Sequence, residues 1–274
     1  MEKLVTQIFL CSFFTILVLH FCPALSDEVE DESEFNYEQG SEKGPDRWGE
    51  IRPEWSTCSN GTLQSPIDLL DKRVEVISHL EITKRNYKPS NATLKNRGHD
   101  IMLKWNSGEA GYIEINGTQY LIQQCHWHSP SEHTINGNKF DLELHAVHQT
   151  PTGQTFVFGI LYQFGEPDPF LSSVEDYLEE ISDTGEEIIV VIDPNKIKIG
   201  SQRYYNYIGS LTTPPCTENV VWIVASEIRT VSREQVSLLR VAVHDDSDTN
   251  ARPIQETNGR TVKLFRDDKV DEED

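Results

Sequence analysis

Six segments of this chain carry the pattern of extended strands: "ATLKNRGHDIMLKW", "GYIEINGTQYLIQQCHWH", "KFDLELHAVHQT", "TFVFGILYQF", "EIIVVI" and "NVVWIVASEI". They are alternating or rich in β-branched and aromatic residues, which suits a pleated, half-buried surface. Asn116-Gly117 between β-rich flanks is a strong hairpin signal, and Asn136-Gly137 lies in the connection between the two histidine-bearing segments. Helical periodicity is confined to "FLSSVEDYLEEI" and "SREQVSLLRVAV", the second opened by Ser232 and Gln235 at capping-box spacing. The expected fold is therefore mainly β with minor α: a single domain on a large twisted, mostly antiparallel central sheet with short peripheral helices. No internal repeat and no Pro/Ser-rich linker divides the 274 residues.

The N-terminus has Lys3, an apolar run from Ile8 to Leu19, and then "CPALS", whose Ala24 and Ser26 fit the small-x-small cleavage rule. The run is about 12 residues, short of the roughly 20 that a spanning helix needs. Residues 1–26 read as a signal peptide, and no later stretch offers a membrane anchor. Acid clusters at 27–34 ("DEVEDESE") and 267–274 ("DDKVDEED"), which read as solvated, disordered segments flanking a domain over 35–266. With a formal net charge of −21 the chain would repel phosphate backbones, so nucleic acid is excluded as a partner.

Removal of Cys11 and Cys22 with the signal leaves three cysteines, so in an oxidising lumen one stays unpaired. Sequons at Asn60, Asn91 and Asn116 agree with a secretory route and mark candidate glycosylation sites.

Five of the nine histidines fall between Gln124 and Gln149, in "QCHWHSPSEHTINGNKFDLELHAVHQ". On a strand, residues two apart share a face, so His126 and His128 project together with Gln124, while Cys125 and Trp127 face the other way. In the next segment Glu143, His145 and Val147 share a face. If the two strands are antiparallel neighbours, His126, His128 and His145 converge and leave a fourth tetrahedral position open, the arrangement of a catalytic zinc. Gln124 and Glu143 each stand two residues before a ligand, on its face, where they can accept its second ring N–H. His148 points away from His145; it and His133 read as hydrogen-bonding residues rather than ligands. "HWHSPSEHTING" resembles the first cupin motif, but "KFDLELHAVHQ" supplies neither the Pro-x-Gly nor the asparagine of the second.

Beyond the histidines, the ordered elements "GPDRW", "LQSPIDL", "NRGH", "HWH", "SEHT", "LELHAVH", "GSLTTPPC" and "VVWIV" resemble an α-class carbonic anhydrase, most closely the secreted plant-type members. The resemblance runs from about Phe35 to Arg266. It implies reversible hydration of CO2 to bicarbonate and a proton, with Zn2+ on His126, His128 and His145. Zinc lowers the pKa of its water to about 7, for which carbonic anhydrases are themselves the standard example, and the hydroxide attacks CO2.

The same resemblance assigns further roles. Glu132 and Thr212 match the pair that orients the hydroxide, the threonine donating to the buried carboxylate. Val147, Val157, Leu211, Val220 and Trp222 match the apolar wall where CO2 waits, with Thr212 and Thr213 beside it. His99 matches a partly exposed proton shuttle. Arg97 and Met102 stand where many animal members have asparagines that order water, and Ala251 stands where they usually have Trp. Cys58 and Cys216 match a disulfide, leaving Cys125 buried and free. A non-catalytic binding or storage protein on this fold would be marked by loss of a ligand histidine, and all three are present. The expected destination is the exterior, or the plastid stroma reached through the secretory system.

Overall fold

The computed structural model describes Glu28 and residues 34–266, apart from 78–81, 182, 200–202 and 244–248. The expected signal peptide (1–26) and the acidic C-terminal segment (267–274) lie outside the described residues. Ten strands form a continuous path: β1 (Val74–Ile77), β2 (Ser90–Asn96), β3 (Ile101–Trp105), β4 (Thr118–His128), β5 (Leu142–Gln149), β6 (Thr155–Phe164), β7 (Glu187–Ile192), β8 (Arg203–Ser210), β9 (Glu218–Ala225) and β10 (Val262–Arg266). Their order across the sheet is β7-β2-β3-β4-β5-β6-β9-β8-β10-β1, and Ile82–Tyr87, Gly111–Ile115 and Arg229–Val231 pair beside that path. Pairing is mostly antiparallel, as expected; β6–β9, β10–β1 and β6 with Arg229–Val231 run parallel.

Every residue of β5 is buried, because it lies mid-sheet and both sheet faces are covered. One face carries the larger core, in which Cys125, Trp127, Leu144, Ala146, Phe156, Phe158 and Ile160 pack with Val236, Leu239, Ala242 and Val243 of helix α1 (Arg233–Val243). The other face carries Val147, Val157, Leu161, Tyr205, Tyr207, Trp222 and Val224. The histidine cluster belongs to this second face.

Helix α1 begins with the expected reciprocal cap: Gln235 N donates to Ser232 Oγ (3.1 Å) and Ser232 N to Gln235 Oε1 (3.2 Å). The other expected helix breaks into a 3₁₀ turn, Leu171–Ser173, and one α turn, Glu175–Leu178. Asp168 Oδ1 caps the first piece through the Phe170 and Leu171 amides, and Val174 leaves helical geometry at ψ −10. "ATLKNRGHDIMLKW" likewise divides into β2 and β3, because Gly98 turns the chain at φ 114 and Arg97 N donates to Asp100 O (3.0 Å). Asn116 and Gly117, both at positive φ (48 and 77), make the expected tight hairpin.

Cys58 and Cys216 are bonded and Cys125 is free and buried, as expected. The disulfide joins the α turn Thr57–Asn60 to the chain after β8 and packs with Phe35, Tyr37, Trp48 and Trp55. Asn60, Asn91 and Asn116 are all exposed. The 27–34 segment needs a correction at its two described residues. Glu34 pairs with Arg52 at the partly exposed surface, and Glu28 buries its carboxylate against Arg97, because that guanidinium is itself buried and offers the acid a partner in place of water.

The disulfide spans a sequence separation of 158. Replacing both Cys58 and Cys216 by serine should lower unfolding free energy by about 2–5 kcal/mol in urea titration. Cys125, whose thiol burial pushes well above its usual pKa, should be alkylated only after unfolding in either protein.

Candidate metal centre

Strands β4 and β5 pair with His126 opposite His145 and His128 opposite Glu143. This register puts three imidazoles on one face, with ring centroids 4.6–5.2 Å apart. One ring nitrogen from each lies within 4.8 Å of the others, and all three residues are buried.

Each ring is turned by a different acceptor. His126 Nδ1 donates to Gln124 Oε1 (2.9 Å), His128 Nδ1 to the Asn250 carbonyl (2.7 Å), and His145 Nε2 to Glu143 Oε1 (2.9 Å). The nitrogens left facing inward are His126 Nε2, His128 Nε2 and His145 Nδ1. The two Nε2 atoms are buried without a hydrogen-bond partner. Orphaned imidazole lone pairs converging in a buried site are the donor set that zinc takes, so the residues fit the ion. Burial holds His126 well below an ordinary imidazole pKa and His145 at about 4, so both keep neutral lone pairs near pH 7.

Glu143 is the hub behind these rings. Its Oε2 accepts from the Glu132 and His133 amides (2.8 Å each), and its Oε1 accepts from His133 Nδ1 (2.7 Å) and His145 Nε2. Burial alone would raise its pKa, but His133 and His145 bring it well below the usual carboxylate range. Since His133 donates from Nδ1, its Nε2 accepts from Tyr207 OH (2.7 Å), which accepts from Ser65 Oγ (2.8 Å). His133, Glu143 and His145 also form a cluster with metal-ligand chemistry, but hydrogen bonds already join them. Gly159, opposite His145, matters here: a Cβ would meet Glu143 Oε1 at 3.1 Å and Val224 Cγ2 at 3.4 Å.

Glu132 is fully buried, and its Oε1 accepts from the Arg252 amide (2.8 Å). The expected hydrogen bond from Thr212 is not formed. Glu132 Oε2 has no hydrogen-bond partner and instead faces His128 Nε2 (3.6 Å) and His145 Nδ1 (4.0 Å), because the carboxylate stands beside the imidazole cluster. Thr212 and Thr213 are buried beside Leu211. Val147, Val157, Leu211, Val220 and Trp222 share one apolar cluster, and the Trp222 ring is 4.8 Å from that of His145.

His99 departs from expectation in its exposure. The residue is only 8% accessible, its Nε2 donates to the Phe35 carbonyl (2.6 Å), and the Phe35 and Tyr37 rings flank it at 5.5 Å. The strand from which it was read ends just before it, so the N-terminal aromatic layer can close over it. His148 lies on the opposite face, where Nδ1 donates to Ala146 O (2.9 Å) and Nε2 accepts from Tyr87 OH (2.5 Å).

Sequence reasoning missed Asn250, Arg252 and Tyr207 as parts of the site, since none lies near the histidines along the chain. Arg252 donates to Gln64 Oε1, Ser65 O and Cys58 O (2.8–2.9 Å), tying the Glu132 loop to the disulfide layer. The capacity of a backbone carbonyl to accept an imidazole N–H leaves no signal in residue type.

Residues 43–266 match the family model for eukaryotic-type carbonic anhydrase. Alpha carbonic anhydrase 7 of Arabidopsis thaliana is 57% identical over 259 residues, 94% of each chain. Among solved structures, dioscorin complexed with ascorbate matches with a TM-score of 0.83 and 44% identity, over 86% of this chain and 99% of that one. The alpha-carbonic anhydrase of Thermovibrio ammonificans with the inhibitor sulfanilamide matches at 0.73 and 34%, over 84% and 98%. The chain belongs to the eukaryotic-type carbonic anhydrase family, which acts on CO2 and bicarbonate.

Buried His145 and His148 resist protonation until about pH 4 and about pH 3, whereas histidines of the unfolded chain protonate below about 6.5. The unfolded state therefore binds more protons in this range, and stability of the metal-free protein should fall as pH drops from about 6.5 to about 4.5. Each histidine adds up to about 1.4 kcal/mol per pH unit. Urea titration of His148→Asn should show a slope shallower by about one proton; an unchanged slope would mean that His148 takes up its proton in the folded protein.

Proposed function

We propose that this chain is a zinc-dependent enzyme that reversibly hydrates CO2 to bicarbonate and a proton. The observation that carries the reading is the set of three imidazoles turned by three separate acceptors so that buried lone pairs converge. Zinc, when held by His126 Nε2, His128 Nε2 and His145 Nδ1, supplies a Lewis acid that makes its water ionise near neutral pH. Gln124 and Glu143 fix the His126 and His145 rings. Glu132 is anchored through Oε1 and its Oε2 has no partner in this structure; a hydrogen bond donated to that carboxylate by the Thr212 hydroxyl, not formed here, would leave the threonine able only to accept from the attacking oxygen and so aim the oxygen's lone pair at substrate. Val147, Val157, Leu211, Val220 and Trp222 give apolar CO2 a dry wall beside these polar groups. Thr213 Oγ1, buried without a partner, can donate to a bicarbonate oxygen.

His99 is the proposed proton acceptor, and in this structure its Nε2 is engaged by Phe35 O. That bond puts the lone pair on Nδ1, so Nδ1 is the atom that would take the proton while the Phe35 carbonyl holds the ring. Entry into the secretory pathway is supported by the disulfide and by three exposed sequons, with export or the plastid as destination. Among the described residues no helix is long and apolar enough to cross a membrane.

Purified protein should hold one zinc per chain, and stopped-flow assay should show CO2 hydration. His145→Ala should abolish stoichiometric zinc while His148→Ala keeps it; equal loss in both would remove the strand-face basis of the site. Stoichiometric zinc without hydration would make the chain a binding protein. His99→Ala should lower kcat at low buffer, leave kcat/KM nearly unchanged and respond to added imidazole. An equal fall in both parameters without rescue would show that His99 serves the fold.

A further inference from the structure

The acidic N-terminal segment places one carboxylate beside the proposed zinc site. Glu28 Oε2 lies 3.0 Å from Arg97 Nη1, 3.0 Å from Gln124 Nε2 and 3.7 Å from His126 Nδ1. Its side chain is 7% accessible and that of Arg97 1%. Nothing in the chemistry assigned above uses either residue.

We propose that Glu28, clamped by Arg97, is a positioning residue that fixes the orientation of the Gln124 amide and through it the tautomer of His126; the inference rests on the zinc reading of the site. An ionised carboxylate can only accept hydrogen bonds. Gln124 must therefore turn its NH2 end to Glu28, which leaves Oε1 for His126 Nδ1 at 2.9 Å. An amide oxygen in turn only accepts, so His126 must carry its proton on Nδ1. A neutral imidazole has one N–H, and Nε2 is left with the lone pair that a metal requires. With the amide reversed, two oxygens would meet at 3.0 Å, and His126 would face NH2 groups that favour the proton on Nε2, where it blocks coordination.

Arg97 makes the device rigid. Its Nε donates to Asp100 Oδ1 (2.7 Å) and its Nη2 to Asp100 Oδ2, so the planar fork is held on one side while Nη1 holds Glu28. Asp100 is buried, which alone would raise its pKa, but Arg97 keeps it below the usual range and so charged. The guanidinium thus sits between two carboxylates, and the Glu28 oxygen that it holds is the one that meets Gln124 Nε2. A sole role as counter-ion to Arg97 would give Glu28 no effect through Gln124, which separates the two readings.

The test uses protein secreted from a eukaryotic host, as wild type, Glu28→Ala, Glu28→Gln, Gln124→Ala and the Glu28→Ala/Gln124→Ala double variant. Two readouts apply: hydrogen exchange of the Gln124 side-chain amide in metal-free protein, by NMR, and the rate of zinc loss to a chelator. Glu28→Ala should speed amide exchange and raise the rate of zinc loss about tenfold, and Glu28→Gln, which can still accept, should recover most of the wild-type behaviour. In the Gln124→Ala background Glu28→Ala should change zinc loss by less than about twofold, because its route of action is gone. Unchanged exchange and zinc loss in Glu28→Ala would overturn the proposal, as would a full tenfold effect in the Gln124→Ala background. A mature N-terminus beyond Glu28 would overturn it too. Wild-type protein that takes up no zinc would refute the zinc reading, and amide exchange would still decide whether Glu28 holds Gln124.

Discussion

Glu143 holds a negative charge in the interior of the sheet, a placement that burial strongly opposes. Four hydrogen bonds offset that cost, and each fixes something else: the amides of Glu132 and His133 set the loop before β5, His133 sets Tyr207 and Ser65, and His145 sets its own ring. A fully satisfied buried carboxylate of this kind stands or falls as a unit. Gly159 belongs to the same unit, since a Cβ there would press on Glu143 Oε1 at 3.1 Å from the neighbouring strand.

The sheet register carries this order outward. His126, His145, Gly159 and Val224 form one row across β4, β5, β6 and β9, and Gln124, Val147, Val157 and Trp222 form the next row on the same face. Ligands and the strand-borne part of the apolar wall are therefore adjacent by the pleat, and the loop after β8 adds Leu211. An imidazole cluster beside a dry surface is what a site for an apolar substrate and a charged metal needs.

The N-terminal layer closes the arrangement from the other side. Phe35 and Tyr37 pack over His99, and Trp48, Trp55 and the disulfide pack beneath them. Arg252 links this layer to the Glu132 loop, and its burial lowers its pKa to about 10, still high enough for the guanidinium to remain charged. Accessibility of His99 and the setting of Gln124 thus both depend on residues before Trp48, far from either in the chain.

By itself the sequence determined the β character of the chain, the face shared by His126 and His128, the opposite face of Cys125, and the capping box of α1. These follow from local periodicity, which is fixed by backbone geometry: two residues per repeat in a strand and 3.6 in a helix. It left β1, β8 and β10 unread, and it joined β2 to β3 because a turn held by the Arg97–Asp100 pair has no strong turn residue besides Gly98. Only the tertiary structure decided that Asn250 O turns His128, that Glu132 Oε2 faces imidazoles rather than Thr212, that Phe35 covers His99, and that Glu28 leaves the solvent to meet Arg97 and Gln124. Each is a contact between residues distant in the chain. Its partner is chosen by where packing brings a carbonyl, a carboxylate or a ring, and residue order carries no record of that choice.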